Sequence, residues 1–393
     1  MKKVLGFLAL VAFIAVIILT QARDYTLQKG IASAKNQDFE SAYTYWRIAA
    51  FFDDDVAERA LGDLYFQGLG VNKDLNTSLS WFLKSAKHNN IASQVNLAGL
   101  YLYNRELKDA EKGFYWAYRA ARSDDRDASY ILATLYEDGV GVIVDEGEAL
   151  VWYEKASELG SAQAQLALAK AYYQGRGVQK SKKLAITYLK MSAKQGEPEA
   201  LFLLANVYAT GDGEKKDQEI ALALFEAAGN LGYVEAQLVS ADMYREGRGT
   251  PIDEKKARMW YEKAAVVGNT TAQYNLAVMY ENGLGVEASK EDAQKWLKKA
   301  SEGGNIEAKY LLARQLLGHD RQKNLKAAQL FHEAAKANHS KAQLLLATMY
   351  CKGDGVAKNP GMCKRWAIEA QKNGEDITLL ENSYNKILTT PVK

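Results

Sequence analysis

Apolar and polar positions recur along this chain with a period near 36 residues, and one stretch shows the unit in full. It is residues 234–269, VEAQLVSADMYREGRGTPIDEKKARMWYEKAAVVGN. Ala236, Ser240, Met243 and Tyr244 fall at helical spacing and predict one face of a first helix. Gly247 follows, where a helix end favours a residue free to adopt positive φ. Gly249 permits a tight turn, and Pro251 cannot continue a helix. Asp253 is placed to N-cap a second helix, a contact worth ~1 kcal/mol. Ala257, Trp260, Tyr261 and Ala264 then return an apolar face towards the first, small residues against large ones.

The register holds along the chain. First-helix (A) tyrosines stand at Tyr65, Tyr101, Tyr136, Tyr172, Tyr208, Tyr244, Tyr280 and Tyr350, with Leu316 replacing one. Second-helix (B) anchors track them at Trp46, Trp81, Trp116, Trp152, Tyr188, Leu224, Trp260, Trp296, Leu330 and Trp366. Loop glycines recur in pairs such as Gly139/Gly141 and Gly283/Gly285. The expected caps of B helices are Asp74, Asp145, Ser181, Asp217, Asp253, Ser289 and Asn359. A fixed period of this length predicts stacked helical hairpins.

The pattern A-x-x-x-L-A-x-x-Y-x-x-G-x-G-V, a cap, then K-A-x-x-W-Y-x-K-A-A-x-x-G resembles the Sel1-like repeat family, relatives of tetratricopeptide repeats with a longer internal loop. Residues 270–305 carry it in Ala272, Leu276, Ala277, Tyr280, Gly283, Gly285, Val286, Ala293, Trp296 and Ala300. The resemblance implies an all-α, right-handed superhelical solenoid of helix-turn-helix units that binds proteins. Nine such repeats are expected over residues 57–375. A tetratricopeptide-like hairpin without the glycine loop is expected over 23–56, and a capping helix over 376–393.

Charge narrows the partners. Lysine plus arginine (50) nearly balances aspartate plus glutamate (48), which argues against nucleic acid. At the amino terminus, Lys2 and Lys3 precede an apolar run from Val4 to Leu19, an export-type pattern. As a helix it would span about 24 Å against a hydrocarbon core of about 30 Å. It reads as an uncleaved signal anchor over residues 1–22, with cleavage near Ala22 and a soluble periplasmic protein as the alternative. The expectation is an inner-membrane anchor through residues 4–19, carrying a monomeric repeat domain in a bacterial periplasm.

Two repeats depart from the pattern. One has Asn104-Arg105-Glu106 in place of its glycine loop, and another has Gly318-His319-Asp320. Both read as local changes of curvature. The cysteines, Cys351 and Cys363, face each other across the last repeat's hairpin; a disulfide and two buried thiols both remain open. Beyond them Ile377, Leu380, Tyr384, Ile387 and Leu388 form one helical stripe, suited to covering the array's apolar end.

Enzymatic chemistry finds no support. His88, His319, His332 and His339 lack metal-ligand spacing, and no nucleophile elbow or phosphate loop is present. No catalytic residue, metal or cofactor is expected. A partner protein is expected on the A helices, which in repeats of this class line the concave side. The stripe there reads Asp63/Gln67, Asn96/Tyr103, Lys170/Gln174, Asn206, Asp242/Glu246, Asn275/Asn282 and Arg314. Its side chains differ between repeats although the scaffold does not. The primary reading is a non-enzymatic adaptor for envelope machinery; the alternative is an immunity protein that neutralises a secreted effector such as a toxic lipase. For the scaffold, Trp260→Ala is expected to cost ~3–5 kcal/mol; an unchanged thermal melt would contradict the packing scheme.

Overall fold

The computed structural model describes residues 2–389, with side chains for residue 17 and for 19–384. Every element among them is helical. Two helices come first, α1 (Lys2–Lys35) and α2 (Phe39–Phe51). Next are the hairpins α3 (Asp55–Gln67)/α4 (Leu75–Lys87), α5 (Ile91–Tyr103)/α6 (Ala110–Ala121), α7 (Arg126–Asp138)/α8 (Glu146–Glu158) and α9 (Ala162–Gln174)/α10 (Lys182–Lys194). Then come α11 (Pro198–Thr210)/α12 (Gln218–Asn230), α13 (Val234–Glu246)/α14 (Glu254–Val266) and α15 (Thr270–Asn282)/α16 (Lys290–Glu302). The last hairpins are α17 (Ile306–Leu316)/α18 (Arg321–Lys336) and α19 (Ser340–Lys352)/α20 (Pro360–Lys372), followed by α21 (Thr378–Thr389). Odd-numbered helices from α3 to α19 are A helices and their even-numbered partners B helices. The fold is an all-α right-handed solenoid of helix-turn-helix units. It comprises two compact units that meet in sequence at Glu197/Pro198.

Within each unit a helix packs mainly on its chain neighbours, as a repeat architecture requires. The seventh residue of the A helix is a core leucine in most layers, with Ser240 in its place in α13. Leu61, Leu97, Leu132 and Leu168 in the first unit, and Leu276 and Leu346 in the second, are fully buried. Alanines surround them, among them Ala57, Ala86, Ala236, Ala257 and Ala264, so helix axes approach closely enough for the large side chains to interlock. Leu312 occupies the same place in α17 and is only half-buried.

Local chemistry sets where each helix starts and stops. All seven expected caps accept a backbone N–H from the first turn of their helix. Gly247 ends α13 in the left-handed region, at φ 72°. Gly249, also at φ 72°, does more than turn the chain. A Cβ built there would lie 2.2 Å from the carbonyl oxygen of Gln218, at the start of the preceding hairpin's B helix. Gly141 repeats this in the first unit, 2.1 Å from the Ala110 carbonyl. Gly70, Gly285 and Gly355 meet the backbones of Phe39, Glu254 and Asn324 in the same way, so these loops rest backbone to backbone on the helix pair before them. The two departing loops are built differently: Asp109 caps α6 and Asp320 caps α18, with shorter connections.

A second recurring device joins one hairpin to the next. The fourth residue of five A helices is a buried glutamine: Gln94, Gln165, Gln237, Gln273 and Gln343. Its Nε2 donates to a carbonyl in the last turn of the preceding B helix, at 2.9–3.4 Å. Each of those carbonyls also accepts a backbone N–H from the turn that follows its helix, so the amide fills the second acceptor site inside the core.

The amino-terminal expectation requires correction. The helix α1 runs through Ala22 without a break. Among the described residues no helix is long and apolar enough to cross a membrane. Much of the stretch expected to span it, residues 4–16, lies outside the residues whose side chains are described. The physical reason is that the described part of α1 is polar along much of its length. It continues through Arg23, Asp24, Lys29 and Lys35, and its second half packs on α2, with Gly30 against the Trp46 indole. The transmembrane helix, the inner membrane as a partner through residues 4–19, and membrane anchoring as the location are withdrawn together.

At the other end, Cys351 and Cys363 stand with Cα atoms 5.1 Å apart and sulfurs within bonding reach across α19 and α20. Leu380 is buried in the same cluster as Trp366, and Ile377 is buried as well. The backbone departs from helical angles at Tyr384, and the side chains of Ile387 and Leu388 lie outside the described residues.

The loop contact generates a direct test. Gly249→Ala forces a Cβ into both a left-handed backbone and the Gln218 carbonyl, whereas Gly268→Ala, at φ 95° with nothing within 4 Å, meets only the backbone strain. Strain alone costs ~1–3 kcal/mol, so Gly249→Ala is expected to be the more destabilising in urea unfolding. Equal losses would show that the loop does not bear on its neighbour.

Candidate partner-binding faces

The expected site residues all sit on A helices and share one face by position. Asn96 and Asn275 are sixth residues; Asp63, Lys170, Asn206, Asp242 and Arg314 are ninth; Gln67, Tyr103, Gln174, Glu246 and Asn282 are thirteenth. They divide between the units, and each unit presents its own face. In the first, Asn96 Nδ2 reaches Asp63 Oδ1 at 3.5 Å, so α5 and α3 present adjoining polar groups. Asp63 also pairs with Arg59 at 2.6 Å. Burial raises its carboxyl above the usual range, and Arg59 offsets only part of that rise. Tyr103 projects into solvent, 76 % exposed. Gln67 and Gln174 are exposed and Lys170 half-buried.

In the second unit Asp242 accepts a short hydrogen bond from the Tyr261 hydroxyl and lies 3.3 Å from Arg245. Glu246 pairs with Arg248 at 2.8 Å. Asn206 and Asn282 turn their amides back to their own helices, onto the Phe202 and Val278 carbonyls. Asn275 is half-buried, and the exposed Arg314 guanidinium lies 5.7 Å from the Tyr310 ring centroid.

The structure adds groups that the stripe omitted. Tyr153 on α8 donates to Glu137 on α7 at 2.6 Å, and Arg176 from the next hairpin's loop approaches the other oxygen at 2.6 Å. Burial, reinforced by Glu137, holds the Tyr153 phenol far above its ordinary value. Tyr261 is raised in the same way by burial and then by Asp242. In both cases a tyrosine rooted in the core fixes a carboxylate at the surface. The signal was present: Trp152-Tyr153 and Trp260-Tyr261 occupy one register, but the tyrosine reads as packing alone.

Two A helices replace the fourth-position glutamine by a charge. In α3 it is Glu58, fully buried. A carboxylate cannot donate, and Lys84 supplies the missing donor to the Ala50 carbonyl at 3.2 Å. Lys84 also pairs with Glu58 at 2.9 Å and Asp53 at 3.1 Å, while His88 Nδ1 meets the second Glu58 oxygen at 2.9 Å. Burial opposes the Lys84 charge, but these two carboxylates outweigh it and hold its pKa above the usual range. Asp53, Glu58 and His88 converge as metal donors would, yet an ammonium already stands among them. In α17 the replacement is Lys309, paired with Glu333.

Nine consecutive stretches, 55–90, 91–125, 126–161, 162–197, 198–233, 234–265, 270–305, 306–339 and 340–374, match the Sel1 repeat. The chain belongs to the Sel1 repeat family. As a Sel1 protein it is a non-catalytic solenoid of the kind that mediates protein–protein contacts.

A solved Sel1 repeat protein from Oxalobacter formigenes is 28% identical, covering 79% of this chain and 90% of that one, with a TM-score of 0.60. The c5321 protective antigen of uropathogenic Escherichia coli superposes with a TM-score of 0.67 over 89% of this chain and 84% of that one, and at 24% identity it speaks for the fold. Chitin synthase regulatory factor 3 of Schizosaccharomyces pombe is 27% identical over 124 residues, which is 30% of this chain and 13% of that protein.

The raised tyrosine gives a pH test with a definite sign. A group whose folded pKa exceeds its unfolded value of 10.0 adds stability below that pH and loses it as pH climbs towards the folded value. Tyr153→Phe is expected to cost about 1–2 kcal/mol near neutrality, and the variant should lose less stability than the native protein on going to alkaline pH. Parallel unfolding curves across that range would refute the Tyr153–Glu137 bond.

Proposed function

We propose that this Sel1 protein binds one partner protein through its A-helix faces, and that it acts as an inhibitor of immunity type. The observation that supports this is preorganised, non-repeating chemistry on a repeating scaffold. Glu137 is held between Tyr153 and Arg176, and Asp242 between Tyr261 and Arg245. Groups fixed before binding lose little freedom on binding, which favours tight recognition of one surface. An adaptor for several partners is better served by mobile groups. The Cys351–Cys363 pair further suits an oxidising compartment such as the bacterial periplasm, where we propose that the two are bonded.

The test is cross-linking and capture with a C-terminally tagged full chain in its native cells, followed by mass spectrometry. One stoichiometric secreted enzyme, with capture reduced at least about tenfold by Tyr103→Ala or Asn275→Ala, is the expected result. Several weakly held envelope proteins would favour the adaptor reading. Capture indifferent to both substitutions would remove the A-helix faces from the account.

A further inference from the structure

We propose that the cleft between α16, α17 and α18 receives an acidic, aliphatic segment of the partner protein. The inference rests on the protein-binding reading above and adds a second surface to it. The cleft has a volume of about 460 Å³ and is lined by Lys298, Lys309, Lys326, Leu312, Leu316 and Leu330, with Ser301, Glu302 and Glu333 completing it.

It opens where two repeat devices fail in one hairpin. The connection from α17 to α18 lacks the glycine loop, and Lys309 stands where five other A helices carry the stitching glutamine. Leu312 shows the consequence. It is the core leucine of its layer, yet it stays half-buried where Leu276 and Leu346 are sealed. Leu316 and Leu330 are half-buried beside it. An apolar floor left open in this way gains by being covered.

Charge selects the occupant. Residues 290–336 hold ten lysines and arginines against six aspartates and glutamates, so the positive excess of a chain with net charge +2 is concentrated here. Within the cleft, Lys309 pairs with Glu333, which is 56% exposed, and Lys298 meets Glu302 at 3.8 Å, with both side chains about two-thirds exposed. The solvent-facing Lys298–Glu302 pair contributes little, so a partner carboxylate can take Lys298, whereas Lys309, only 16% exposed, stays with Glu333. Lys326 has no ion pair among the described residues. Lysines around leucines complement a segment in which Asp or Glu flanks Leu or Ile; a basic segment would meet repulsion and a purely apolar one would leave the ammonium groups unanswered.

Fluorescence anisotropy on the full chain tests this with three labelled peptides: one with acids flanking leucines, one with lysine at each acidic position, and one with serine at each leucine. The expected result is binding of the first alone, weakened by salt, and weakened at least about tenfold in the surface double variant Lys298→Glu/Lys326→Glu. Leu316→Ser, a second variant, should weaken it as well, while Lys180→Glu should not. Failure of the acidic peptide to bind, or binding unchanged in the double variant, overturns the cleft. Tighter binding of a single-stranded RNA with the same dependence on Lys326 would overturn it in favour of nucleic acid. These failures are separate from failure of the capture experiment, which would leave no partner protein at all.

Discussion

The array depends on how closely two backbones can approach where one hairpin's loop meets the hairpin before it. Gly249 and Gly141 sit in a left-handed conformation directly over a carbonyl of the preceding hairpin's B-helix start, and no Cβ fits in that space. Where it occurs, this contact limits how far a loop can stand from its predecessor within one unit. The alanine-lined helix faces and the buried leucines of most layers then pack at the separation the loop allows. Long-range order within a unit arises from neighbour contacts repeated in one register.

Much of this was legible in the sequence, because the repeat states each local rule several times. Caps, loop glycines and the alanine–tryptophan faces are short-range patterns, and the structure places all seven caps where the spacing put them. What the sequence did not reveal lies between repeats. That Gly249 touches Gln218 follows from stacking, and spacing within one hairpin carries no trace of it. The amino terminus misled for a different reason. Composition changes sharply near Gln21, but no glycine or proline intervenes between Gly6 and Gly30 to end a helix, and helical hydrogen bonding runs on across the change in polarity. The apolar run alone suggested a membrane span, and among the described residues no helix is long and apolar enough to be one.

The faces were legible in part. Helical spacing placed twelve residues on one side of the A helices, but it treated every polar side chain as equally free. Several are not. Asn206 and Asn282 are turned onto their own backbone, whereas Asp242 is held by Tyr261, and Glu137, absent from the stripe, is held by Tyr153 and Arg176. The distinction depends on which neighbour reaches across from the B helix, and so on packing already in place.

The fourth residue of the A helix has a wider meaning. Its glutamine closes a seam between hairpins, and the scaffold accepts Glu58 or Lys309 there provided a neighbour supplies the opposite charge. The rest of the repeat is fixed by shape, since a larger alanine or a substituted loop glycine disturbs its neighbours. This position tolerates a change of charge at nearly constant volume. Such an array can therefore vary its electrostatics one seam at a time while keeping its helices in register, and of the four A helices without the glutamine, those with Glu58 and Lys309 carry a charge at the seam.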